Sequence, residues 1–174
     1  MISGELARVF VGLLLLTLLL RAAWTDIRSR RIENRVCAFV AALWPVHLLL
    51  SPAPTHPFAS LAIALAIFAA ATASWRLGWL GGGDVKLLAA VGLWAGPEHA
   101  LHFLLVTGLA GGALALALLW YRHAGWMLVA PMQAAMSSLL PRRAAAVTVD
   151  QATLPYGIAI AAGGCWLWLR LFAG

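Results

Sequence analysis

The chain has 174 residues, of which 63% are hydrophobic and only 10% charged, against about 25% charged in a soluble domain. Too little polar surface remains to cover a water-soluble globule. The net charge of +6 reads as basic residues marking one face of a membrane rather than as a nucleic-acid surface.

Six apolar runs divide the chain, at 6–24, 32–50, 58–74, 84–95, 100–121 and 154–172. Each is set against the roughly 20 residues needed to cross a hydrocarbon core. The expected fold is all-α: a polytopic membrane helical bundle of about six transmembrane helices, forming a single membrane-embedded domain over 1–174. The first run has no small-residue cleavage site before Arg21 and reads as a retained helix rather than a signal peptide. Pro52, Pro54 and Pro57 break any helix between the second and third runs. The fourth run is the shortest, and Gly96-Pro97-Glu98-His99 reads as a loop joining it to the fifth. A loop at about 122–153 follows, apolar for a loop, with Trp126 and the Arg142-Arg143 pair suiting an interfacial helix. Cys37 and Cys165 lie in different runs without metal-ligand spacing and read as small core residues.

Charge fixes the expected topology. With six spans, Arg21, Arg28, Arg30, Arg31, Arg35, Arg76, Lys86, Arg122, Arg142 and Arg143 collect on one face, and only Arg8 and Arg170 stay on the other. That ten-to-two split follows the positive-inside rule and puts both termini outside. Without the fourth span, Arg122, Arg142 and Arg143 would change sides, so the count argues for keeping it.

The acidic residues are Glu5, Asp26, Glu33, Asp84, Glu98 and Asp150. On this topology Asp26 and Asp84 both lie at cytoplasmic ends of spans, where a carboxylate is costly and needs a reason. Taken singly, Asp26 reads as a loop charge paired with Arg30, and Asp84 as a helix N-cap after Gly81-Gly82-Gly83. Together they read differently. Two carboxylates brought close share a proton. The ionised one can then activate water while the protonated one donates to a substrate carbonyl. The glycines allow an extended peptide to approach Asp84 closely. Neither a metal nor a cofactor enters this chemistry.

Other candidates carry less. His99 and His102 stand three apart on the outer face and read as structural. Asp150 reads as a solvated charge. Lys86 either holds a carboxylate or substrate group or is one more positive-inside residue. Ser29 and Ser74 have no histidine beside them on the same face, so no serine triad is present.

Gly81-Gly82-Gly83-Asp84-Val85-Lys86 resembles the G-x-G-D motif of the type IV prepilin peptidases, whose catalytic aspartate closes that motif. The segment from Thr25 through Asp26 to Arg31-Ile32-Glu33-Asn34 resembles the family's first motif, an aspartate followed by a basic turn and an asparagine element. Leu154-Pro155-Tyr156-Gly157, with Gly163-Gly164 further on, resembles the start of the family's last helix. The three motifs stand in order from the first span to the sixth. The resemblance implies an aspartic endopeptidase of the bacterial cytoplasmic (inner) membrane that removes the short basic leader of prepilins or pseudopilins at the cytoplasmic face. Asp26 and Asp84 would be catalytic, and Gly81, Gly83, Lys86, Asn34, Pro155, Tyr156 and Gly157 would support substrate and loops. Its partners would be the pilin substrate and the lipid bilayer, with no nucleic acid. The sequence lacks the cysteine-rich insertion of the larger, bifunctional members. It resembles instead the short branch that serves tight-adherence (Flp-type) pili, so N-methylation of the product does not carry over. Two rival readings use the same bundle: a proton-coupled carrier, and a non-catalytic assembly subunit of a pilus or secretion system.

Overall fold

A computed structural model describes residues 2–51, 56–137 and 156–172, and side chains within 4–51, 56–121 and 156–172. The regular elements among them are α1 (Ile2–Ser29), α2 (Asn34–Leu50), α3 (Pro57–Arg76), α4 (Gly82–Ser137) and α5 (Tyr156–Phe172). No strand occurs among the described residues. Three stretches are long and apolar enough to cross a membrane: Gly4–Ser29, Pro57–Arg76 and Gly82–Tyr121. Asn34–Leu50 and Tyr156–Phe172 are shorter apolar helices.

The fourth and fifth sequence runs form two helical segments that meet at a kink rather than at a four-residue loop: the non-helical backbone between them is confined to Gly96, at φ 55° and ψ −167°. That backbone conformation is open to glycine and strained for other residues. Pro97 then supplies a pre-set φ and lacks only an N–H that a helix start leaves unused.

The contacts show that the chain reverses direction there. Residues 82–95 run parallel to α2: Lys86 bonds Asn34 and Trp94 bonds the Val40 carbonyl. Beyond Gly96 the chain runs antiparallel to α5: His102 stacks on Trp166 at 5.7 Å, Phe103 faces Gly163, and Gly111 faces Tyr156. Helix α5 is itself antiparallel to α1, since Trp168 Nε1 donates to the Gly12 carbonyl while the Gly157 N–H donates to Asp26. Asp84 and Gly111 therefore lie at one end of this bundle and Gly96 at the other.

Two compact units divide the chain: residues 1–111 with 155–174, and residues 112–154. The core of the first includes Leu15 and Leu19 of α1, Leu87, Val91 and Phe103 of α4, and Ile160 of α5, each nearly or fully buried. Between helices in lipid the driving force is close packing rather than water exclusion, and glycines set it here. A Cβ on Gly164 would come within 2.8 Å of Leu19, and one on Gly163 would press on Phe103 at 3.1 Å. Within the second unit, α4 continues as helix to Ser137. The expected interfacial loop at 122–153 is thus helical over its first part. Its remainder, with Asp150 and the Arg142-Arg143 pair, lies outside the described residues.

Candidate active site

Asp26 and Asp84 are the buried carboxylates among the described residues, at 6% and 9% exposure. Asp26 is not in a loop after the first span. Helix α1 runs on to Ser29 and puts Asp26 in its last turn, where its carbonyl accepts the Arg30 N–H at 2.9 Å. Arg30 then takes φ 53°, which turns the chain away from the helix. The Asp26 carboxylate points inward to α5 and accepts the Gly157 N–H at 2.7 Å through Oδ2. That N–H belongs to the first turn of α5, one of the donors a helix start leaves without an internal partner. A Cβ on Gly157 would lie 2.8 Å from Asp26 Oδ2 and 2.9 Å from its Cβ, so the absence of a side chain is what lets the two backbones meet.

Asp84 is held in a similar way. It is the third residue of α4 rather than its N-cap, and its Oδ2 reaches back to accept the Gly81 N–H at 3.1 Å. This is the reciprocal half of a capping box. The cap therefore accounts for one oxygen only. Asp84 Oδ1 is buried with no hydrogen-bond partner among the described residues, and such an atom costs about 1–3 kcal/mol unless a ligand or water meets it. Gly81 and Gly83 stand where a side chain would crowd the site. A Cβ on Gly81 would stand 2.8 Å from Asp84 Oδ2, and one on Gly83 would meet Ile32 Cβ at 3.0 Å and its carbonyl at 3.3 Å.

The two carboxylates are within electrostatic reach of each other, and Asp84 also acts on Tyr156, beside Gly157. The charge of Arg30 reaches Asp26. The remaining expected residues fall around this end of the bundle with different partners. Lys86 meets no carboxylate among the described residues; its ammonium donates to Asn34 Oδ1 at 2.9 Å and ties the start of α4 to the start of α2. Tyr156 opens α5 and packs on Gly111. Pro155 lies outside the described residues. Arg21 forms an ion pair with Glu33 at 3.4 Å, between exposed groups, where such pairs contribute about 0–1 kcal/mol. Ile32 entered the sequence reading only as part of a motif: as an aliphatic side chain it carries no chemical signal, yet it lies against Gly83 at the start of α4.

At the opposite end, His99 and His102 pack against Trp166. A cavity of about 110 Å³ there is bordered by His47, Ser60, Trp94 and Gly96 and touches neither aspartate. Cys37 is buried and Cys165 half-buried, both as free thiols.

The arrangement can do one kind of chemistry well. Two carboxylates, withdrawn from water and each oriented by a backbone N–H, can divide proton acceptance and proton donation between them. Residues 13–116 match the family model of the type IV leader peptidase family. No curated protein and no solved structure matches the chain.

Proposed function

The chain belongs to the type IV leader peptidase family, and on that premise we propose that it is an aspartic endopeptidase removing the short basic leader of prepilins or pseudopilins. Membership makes it a peptidase, and its apolar helices fit a lipid bilayer. One observation carries the finer reading. Asp26 and Asp84 are the buried carboxylates among the described residues, they share one end of the bundle, and each is held by a glycine-bearing turn.

In this reading one carboxylate is ionised and the other protonated. The ionised member takes a proton from water as the water oxygen attacks the scissile carbonyl carbon, and the protonated member donates to the carbonyl oxygen. On collapse of the tetrahedral intermediate the second carboxylate recovers a proton from a hydroxyl. The first delivers its proton to the departing nitrogen as the C–N bond breaks. Both groups return to their starting states, and no covalent intermediate forms. The dyad titrates as a unit, so acid and base are not assigned to individual aspartates.

Charge supports a cytoplasmic site in the bacterial inner membrane. Arg28, Arg30, Arg31, Arg35, Arg76 and Lys86 belong to the carboxylate end, while Arg8 and Arg170 belong to the other. Six crossings with both termini outside follow, and the substrate's hydrophobic stem would approach sideways through the bilayer. The missing cysteine-rich insertion favours the short, tight-adherence branch. The test is incubation of the purified protein with a prepilin in detergent. The substrate should shorten by its leader, and Asp84→Asn should leave it intact. A carrier or a non-catalytic assembly subunit would leave it at full length with either protein.

A further inference from the structure

On the outer side of the site lies an apolar groove of about 370 Å³, bordered by α2, α3 and the first segment of α4. Its lining has a regular pattern. From α2 come Asn34, Cys37, Ala38 and Ala41, spaced i, i+3, i+4 and i+7. From α4 come Lys86, Ala89, Ala90 and Leu93, with the same spacing. From α3 come Leu61, Ala64 and Phe68 at i, i+3 and i+7. Each set is a single helical face. Three helices thus turn matched faces toward a volume that none of them fills. Small side chains dominate the two facing stripes of α2 and α4, and in lipid small residues let another helix backbone come close.

We infer that this groove is the docking socket for the hydrophobic stem helix of the substrate. The inference rests on the peptidase reading above and gives that substrate a place. A helix is favoured over a lipid chain because the groove walls repeat at helical period on three sides, which a helix can interlock with and a flexible chain cannot. The groove is also continuous with the candidate site. Its polar head is the Lys86–Asn34 pair, two residues along α4 from Asp84, and Cys37 in its wall approaches the Gly83 carbonyl at 3.9 Å. The unpaired backbone groups where a stem ends and an extended leader begins need polar partners at membrane depth, and this pair stands there to provide them. Lys86 and Asp84 lie on different faces of α4, so the extended segment must cross the helix end. Gly81 and Gly82, both exposed, offer no side chain to obstruct it. A helix end is about 10 Å across, a distance covered by about three extended residues. The docked helix should therefore begin about three residues beyond the scissile bond.

The test is disulfide cross-linking in membranes. Single cysteines at Ala41 or Ala89, in a background with Cys37→Ala, Cys165→Ala and Asp84→Asn, are paired with single cysteines stepped along a prepilin stem. Cross-links should recur every three to four stem positions and be absent for Leu105→Cys, an exposed position on the later part of α4. In the active protein, Ala41→Trp and Ala89→Trp should lower kcat/KM for a membrane-anchored prepilin at least tenfold, mainly through KM. Cross-links to a second copy of this chain would overturn the inference in favour of self-association. Absence of periodic cross-links would overturn it in favour of lipid. In either case the peptidase reading stands as long as the parent protein cleaves; a parent protein that fails to cleave removes both.

Discussion

Asp26 and Asp84, 58 positions apart in the sequence, are held by the same device, a carboxylate oxygen accepting the backbone N–H of a glycine. If they act as one unit, removing either removes the whole function, and losses do not add. Asp26→Asn and Asp84→Asn should each abolish leader removal, and the double variant should be no worse. A cleavage assay at matched membrane levels reads this directly. Residual processing that falls further in the double variant would mean that the carboxylates work independently. Gly157 permits a finer test. Alanine there drives a methyl group into Asp26, so the carboxylate must shift while its charge is kept. Cleavage should fall about a hundredfold, the scale of a misplacement of about 1 Å, with a stability loss of about 1–3 kcal/mol from overpacking. Activity kept at the parental level would mean that the position of Asp26 does not matter. For Lys86 the relevant partner is the Asn34 amide. Lys86→Ala and Asn34→Ala should cost similar stability, and the double variant only as much as one of them, a coupling of about 1 kcal/mol.

At the scale of elements, the break at Gly96 is the most exposed to substitution. Alanine would have to hold a positive φ and would also press within 3.0 Å of Ser60 Oγ. The expected cost is about 1–3 kcal/mol, seen as a lower thermal midpoint in detergent; an unchanged midpoint would show that the turn can rearrange. This break also marks where sequence reading stopped. A Gly-Pro pair announces an interruption, but a four-residue loop and a one-residue break have the same composition, and only the backbone conformation tells them apart. Apolar runs likewise gave the helices and their order, whereas their ends depended on local backbone. Nothing in Thr25-Asp26-Ile27 says that α1 continues to Ser29, because the stop comes from the positive φ of Arg30. The candidate site was proposed from where chemistry is concentrated in the sequence: the two aspartates and the glycine motifs around them. Lys86 could be read two ways because its partner, Asn34, is 52 positions distant. The groove was not legible at all, since Ala38, Ala41, Ala89 and Ala90 are ordinary residues in any apolar helix and acquire meaning only when three helices are brought side by side.

For the whole molecule the question is which way the bundle sits in the bilayer. Helix contacts fix the internal order: Asp26, Asp84 and the start of α5 at one end, Arg8, Gly96 and the end of α5 at the other. They do not say which end faces the cytoplasm; the proposed cytoplasmic site rests on charge. Arg31 follows α1 and Arg76 ends α3 at the carboxylate end, and the segment at Gly96-Pro97-Glu98 has no basic side chain apart from the adjacent His99. The short first segment of α4 makes the matter sharp. Residues 82–95 extend about 21 Å as helix, less than a hydrocarbon core of about 30 Å, so composition alone could place them as a half-crossing that returns to its own side. The parallel pairing with α2 over Lys86–Asn34 and Trp94–Val40 argues instead that they traverse the same depth as α2. Reporter fusions separate the two cases. Fusions after Arg31 and Arg76 should read cytoplasmic, and fusions after His56 and Pro97 external. A cytoplasmic reading at Pro97 would reduce 82–95 to a half-crossing. A peptide leader on the cytoplasmic side could then still reach Asp84, but a stem helix could not lie along the full length of the groove.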